Sequence, residues 1–187
     1  VGVTRVLTCD LPSYVGKKIW PKEGMLIRGY ETRRTDSFPV QVWALKDVLA
    51  KLMDRDVDDA LETARDWVAK VSNGEMEKQH YVISKTVNLK RKYVNEDNQA
   101  HLQAYKKYIE TGRPFVSGMK VSFIVTNAKV SPMEVEPFIP DEECPEPDYD
   151  YYVDRIAKSL SRVTDVFEWD AKALKKGKQE PKQQTLF

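Results

Sequence analysis

The chain carries only two histidines, His80 and His101, and neither has a partner at the spacing a metal site or a proton relay requires. No Gly-rich phosphate loop and no nucleophile elbow is present. Adjacent carboxylates occur at Asp58-Asp59 and Glu142-Glu143, but the first pair falls on the polar face of an expected helix and the second in a proline-rich stretch. Both are expected to be solvated surface groups. Cys9 and Cys144 lie far apart in sequence with no C-x-x-C pairing, which argues for free thiols and against a zinc ribbon or a disulfide framework. A self-contained active site is therefore not expected. What remains is basic clustering: Lys17 and Lys18 beside Tyr14 and Trp20; Arg28, Arg33 and Arg34; and Lys85, Lys90, Arg91 and Lys92 flanked by Tyr81 and Tyr93. Cations interleaved with aromatic rings can neutralise phosphates and pack against sugars or bases. In a chain with 32% charged residues, such clusters also arise as ordinary solvated faces.

The elements that must position these residues read as follows. The 187 residues, 41% of them hydrophobic, suffice for a packed core without staples. Thirty basic residues against 29 acidic ones make the total charge uninformative, so any nucleic-acid contact must come from local concentration. The sequence lacks an apolar run of membrane-spanning length and a secretory leader pattern, which leads us to expect a cytoplasmic protein without a membrane partner. Strands are expected over 1–8, running into a loop, and over 25–31, sharing one small antiparallel sheet. After Pro39 the period changes to three and four: Val42, Leu45, Val48, Leu49 and Leu52 form one helical stripe, and a second helix begins with Asp56 as N-cap and ends at Asn73-Gly74. Trp43 and Trp67, at helical spacing, are expected in the core. A short strand-like stretch over 80–85, a helix over 99–110, a strand over 119–126, a proline-rich extended connector over 132–147 and a helix opened by Asp148 complete the pattern. The basic, Gln-rich 172–182 is expected to be an exposed tail.

Ser13-Tyr14-Val15-Gly16-Lys17, followed by Ile27-Arg28-Gly29-Tyr30-Glu31-Thr32-Arg33-Arg34-Thr35-Asp36-Ser37, resembles the palm-to-thumb passage of archaeal family B DNA polymerases. That passage reads Lys-Lys-x-Tyr-x-Gly and then Gly-x-Glu-x-x-Arg-Arg-x-Asp. The second half matches at Gly29, Glu31, Arg33, Arg34 and Asp36. Tyr81-Val82-Ile83-Ser84-Lys85, the stretch 118–125 and Asp148-Tyr149-Asp150-Tyr151-Tyr152 follow the thumb's order, so the resemblance spans nearly the whole chain.

The resemblance implies an α+β fold: a small antiparallel remnant of the palm over 1–37, a mainly helical thumb over 38–176, and a flexible basic tail over 177–187. It implies contact with primer-template DNA through Tyr14, Arg33, Arg34, Ser84 and Lys85. Where the family has a Lys pair ahead of its tyrosine, this chain has Leu11 and Pro12. Either Lys17 or Lys18 substitutes from the other side, or the primer grip is weakened. Thr35-Asp36-Ser37 is similar to the end of the family's metal-binding Asp-Thr-Asp-Ser motif, but Arg34 stands where the first Asp belongs and would repel cations. Arg33 and Arg34 suit phosphates instead, and Asp36 is available to orient an arginine. The family's catalytic aspartates are expected upstream, with Mg ions in that partner portion and no cofactor in this chain. The isolated chain is then expected to be inactive. It would be a separately encoded small subunit or a cleaved portion, docking onto the large catalytic portion. The terminal Gln183-Gln184-Thr185-Leu186-Phe187 resembles a sliding-clamp-binding peptide, with Gln183 for hydrogen bonds and Leu186 and Phe187 for an apolar pocket. The alternative for the whole chain is a non-catalytic adaptor joining a clamp to a partner protein.

Overall fold

The computed structural model describes residues 2–8, 14–20, 24–28 and 36–176, with side chains at 15–16 and 25–28 in the first three segments. The fold is α+β, with two small antiparallel sheets and a helical body. Strands β1 (Gly2–Thr8), β2 (Tyr14–Trp20) and β3 (Gly24–Arg28) form the first sheet in the order β1-β2-β3. The sequence reading had a loop where β2 lies. Its Gly16 and paired lysines weaken the apolar alternation, and the strand owes its place to ladders on both edges. Val15 and Ile27 face each other across the β2–β3 ladder and are both buried.

Helix α1 (Pro39–Met53) starts on Pro39, whose fixed φ suits a first turn and whose missing N–H costs nothing there. Its apolar stripe buries Val40, Ala44, Leu45, Val48, Leu49 and Leu52. Helix α2 (Val57–Ser72) is capped by the Asp56 carboxylate, which accepts from the Asp59 N–H at 3.1 Å. It ends at Gly74 with φ +65, where the Tyr149 ring would stand 3.2 Å from an added Cβ. Conformation and space thus both demand glycine.

The stretch 80–85 is not one strand. A 3-10 turn over Lys78–Tyr81 buries the Tyr81 ring, and only then does β4 (Ile83–Thr86) begin. β4 pairs with β5 (Lys120–Asn127), which pairs with β6 (Glu134–Pro137), a strand inside the expected connector. Pro137 is tolerated because β6 is an edge. Helix α3 (Ala100–Glu110) packs on β5 and β6. Helix α4 (Tyr149–Thr164) packs on α1 and α2, and α5 (Ala171–Lys176) packs on α4. The expected mainly helical body therefore contains a complete three-stranded sheet, and α5 occupies the start of the expected tail.

Phe38, Tyr81 and Tyr152 meet at the centre of this body: Phe38 and Tyr152 are edge-to-face with centroids 4.9 Å apart, and Tyr81 lies 5.0 Å from Tyr152. All three are fully buried. The Tyr152 hydroxyl accepts from the Val125 N–H at 3.0 Å, beside the irregularity in the β5–β6 ladder. Asp148 caps α4 with one carboxylate oxygen and takes the Ala128 N–H at 2.8 Å with the other, tying the helix to the end of β5. Burial pushes the Tyr81 phenol up to about 12 and the Tyr152 phenol higher still. Trp43 departs from the expectation: it is 38% exposed, with its ring edge-on to His80. Trp67 is half-buried and donates its indole N–H to Asp47 at 3.0 Å. Among the described residues no helix is long and apolar enough to cross a membrane.

Candidate nucleic-acid interface

Side chains alternate along β4, so its two expected contact residues point to opposite faces. Ser84 is engaged within the sheet, its hydroxyl 2.8 Å from that of Ser122, its partner across the ladder. Lys85 shares a face with buried Ile83 and is exposed. Beyond Thr86 the pairing continues irregularly: the Gly118 N–H donates to the Val87 carbonyl at 2.8 Å and the Val87 N–H to the Met119 carbonyl at 3.0 Å. This brings 85–89, which continue into 90–94, alongside 116–122. Neither segment contains an acidic residue.

The turn between Asn88 and Tyr93 is held by polar groups. The Asn88 N–H donates to the Tyr93 hydroxyl at 3.0 Å, the Leu89 N–H to the Ser117 hydroxyl at 2.9 Å, and the Lys90 N–H to the Asn88 side-chain oxygen at 3.0 Å. Lys90, Arg91 and Lys92 consequently project from an ordered turn, all exposed, with the Arg91 guanidinium over the Tyr93 ring at 5.5 Å. Lys120 of β5, in register with Thr86, is an exposed cation on the sheet face opposite Lys85. None of Lys85, Lys90, Arg91, Lys92 and Lys120 forms an ion pair among the described residues. Arg113, by contrast, is paired with Glu142 at 2.7 Å. Leu89, Val116 and Met119 are exposed on the same segments, at 48%, 66% and 44%.

Behind Lys85 the first turn of α3 places His101, which is 4% exposed and edge-on to Tyr93. Burial is the main cause that lowers its pKa to about 4, with the nearby positive charges of Lys85 and Arg91 adding to it. The imidazole is neutral at physiological pH. A cavity of about 390 Å³ opens here, walled by Lys85, His101, Arg155 and Asp36 and floored by apolar side chains of β4 and β5. Arg155, which the sequence reading did not single out, donates to the Asp36 carbonyl at 3.1 Å and lies 3.9 Å from its carboxylate. It also donates to the Tyr151 hydroxyl at 3.1 Å, with its guanidinium against the Phe38 and Tyr151 rings. The arginine that meets Asp36 thus comes from α4, 119 residues away. Helical periodicity put Arg155 beside the apolar stripe of α4, but nothing in the sequence paired it with Asp36.

The other expected contact residues are distributed differently. Tyr14, Lys17 and Lys18 belong to β2, in register with Arg28, Met25 and Gly24. Arg33, Arg34, Gln183, Leu186 and Phe187 lie outside the described residues, as does Cys9. Cys144 is a half-buried free thiol whose pKa is raised by burial. Asp59 pairs with Lys51, and Glu142 with Arg113, as surface carboxylates do. Among the described residues no group of three or more His, Cys, Asp and Glu side chains is placed to hold a metal ion. The cations gathered at the end of β4 and in the following turn are suited to charge neutralisation and positioning.

Comparison with known proteins bears on the fold and the family. No curated protein matches the chain. Among solved structures, the family B DNA polymerase from the hyperthermophilic archaeon Pyrobaculum calidifontis is similar over 86% of this chain, with a TM-score of 0.65 and 18% sequence identity. At that identity the likeness concerns the fold, and the chain spans 21% of the length of that polymerase. The model of DNA polymerase family B matches residues 13–167, most of the sequence. The chain belongs to DNA polymerase family B.

Proposed function

We propose that this chain is the thumb portion of a DNA-directed DNA polymerase, preceded over 1–37 by the end of the palm, and that it holds primer-template duplex for replication. The observation that carries the proposal is the strip formed by 85–94 and 116–122, segments without an acidic residue, with unpaired cations projecting from an ordered turn. In a molecule of net charge +1, such local concentration supplies attraction to phosphates without reference to base sequence. The exposed apolar side chains between the cations can pack against sugars. Catalysis in this reading is positional: the strip fixes the duplex while carboxylates elsewhere in the polymerase, with Mg ions, perform nucleotidyl transfer. Tyr14, Lys17, Lys18, Arg33 and Arg34 would extend the contact toward the primer end. Whether separately encoded or covalently continuous, the large catalytic portion is the expected partner, and the first sheet supplies the edge for docking. The C-terminal Gln183, Leu186 and Phe187 are proposed as a sliding-clamp contact on the strength of their sequence pattern.

The test is fluorescence anisotropy of a labelled primer-template duplex with the full chain across a range of salt concentrations, joined to primer extension by the large portion with and without it. Binding should fall steeply with salt and be indifferent to sequence, and extension should rise when the chain is added. Affinity that ignores salt, or extension unaffected by the chain, would remove the DNA-holding role.

A further inference from the structure

Strands β4 and β6 both end where β5, the middle strand of their sheet, begins. Thr86, the last residue of β4, is in register with Lys120, and on the other side the Phe138 N–H, just past β6, donates to the Ser122 carbonyl at 2.8 Å. The two segments that leave the sheet at this end carry opposite charge. On the β4 side, Lys90, Arg91 and Lys92 are exposed and form no ion pair among the described residues. On the β6 side, the stretch 131–153 holds eight acidic residues and no Lys, Arg or His. Several of these acids are spent on the body: Glu136 on Lys107, Glu142 on Arg113, Glu146 on Lys78 and Asp150 on Lys129. Asp141 and Glu143 are exposed and form no ion pair among the described residues.

An apolar seam runs between the two charged margins. The chain entering β5 is tied to the acidic side through Arg113 and Glu142, and to the basic side where the Leu89 N–H donates to the Ser117 hydroxyl. On it Val116 and Met119 stand exposed together, the Met119 sulfur accepting from the Val116 N–H at 3.2 Å, with exposed Leu89 alongside. Grouped apolar side chains left in water mark a contact surface, as single scattered ones do not. A face that is positive on one margin, negative on the other and apolar along the middle is complementary to itself. A two-fold rotation about an axis in the contact plane sets the cations of each copy against the acids of the other and lays the two seams together.

We propose that this end of the second sheet joins two copies of the chain in a closed two-fold dimer. Lys90, Arg91 and Lys92 of each copy face Asp141 and Glu143 of the other, and Leu89, Val116 and Met119 are covered between them. The contact needs no nucleic acid, so its failure leaves the DNA-holding reading standing. Because the dimer covers cations of the strip, duplex and a second copy compete for the same face.

The experiment is sedimentation velocity of the full chain over a range of concentrations at low and high salt. The parent should form dimers at low salt that dissociate as salt rises. Lys90→Glu, Arg91→Glu and Lys92→Glu together should weaken dimerisation roughly tenfold or more, because like charges then meet across the contact. Asp141→Asn with Glu143→Lys should do the same from the other margin; Asn suits position 141, where φ is 72. Mixed in equal amounts, the two variants should pair with each other, which excludes misfolding as the cause of either loss. A parent that stays monomeric at the highest concentration in low salt overturns the proposal. Dimers indifferent to both reversals, variants folded by circular dichroism that fail to pair on mixing, or open-ended growth in place of a closed dimer would also overturn it.

Discussion

The helical body and the strip beside β4 treat charge in opposite ways. In the body, cations meet carboxylates: Lys51 with Asp59, Lys175 with Asp154 at 2.5 Å, Lys129 with Asp150 at 2.8 Å and Lys78 with Glu146 at 2.5 Å. In the strip, Lys85, Lys90, Arg91, Lys92 and Lys120 are exposed with no acid in their own segments. Whole-chain charge, close to zero, conceals the contrast. Paired surface ions contribute little to stability and less to long-range attraction, whereas unpaired cations on a common edge add their fields. Where charge stands, and what stands beside it, therefore separates the scaffold from the proposed contact surface.

The sharpest way to break the comparison is to damage the body and ask whether the strip survives. Tyr152→Ala should cost roughly 3–5 kcal/mol by removing a fully buried ring, and Tyr152→Phe about 1–3 kcal/mol by leaving the Val125 N–H unpaired. Urea unfolding measures both, and a Phe variant as stable as the parent would mean the Val125 bond is dispensable.

Acid should weaken the body-strip junction next. The His101 pKa in the fold, about 4, lies below its ordinary 6.5, so between those values the unfolded chain binds more protons. Stability is full above about pH 6.5 and declines as pH falls toward 4, by at most about 3 kcal/mol. Besides Lys85 and Arg91, Arg155 and Asp36 face this ring across the cavity. His101→Gln should flatten the profile in denaturant midpoints measured over that range; an unchanged slope would assign the acid loss to other groups.

Exchanging Lys90, Arg91 and Lys92 for Gln should lower the magnitude of the salt slope of duplex binding by roughly 2–3, about 0.9 for each phosphate contact removed, with stability changed by less than about 0.5 kcal/mol. The matching change in the body, Lys78, Lys129 and Lys175 to Gln, should leave duplex affinity where it was. Equal losses from both sets would erase the distinction between the regions. Smallest is the loss of the α2 cap: Asp56→Ala should lower stability by about 1 kcal/mol in thermal or urea unfolding without touching duplex binding.

Legibility followed the range of the interactions involved. Pro39, the Asp56 and Asp148 caps and the Gly74 stop were readable because each acts on its own or the next helical turn. Trp43 misled, since helical spacing assigns a residue to a stripe but not to the depth at which that stripe is covered. β2 and β6 were hidden because their sequences carry glycine, lysines or proline, and strand formation there depends on neighbours in the ladder.

The sequence by itself determined that this is an α+β chain of DNA polymerase family B, through local helix and strand periodicity and the Gly29–Asp36 motif, and it marked Lys85 to Lys92 as a basic cluster. Tertiary structure alone decided that Ser84 is spent inside the sheet, that Lys120 stands on the sheet face opposite Lys85, and that Asp36 meets Arg155. Those pairings join positions separated by 38 residues for Ser84 and Ser122 and 119 for Asp36 and Arg155. Their energies exist only after the intervening chain has folded, so no local pattern has reason to record them.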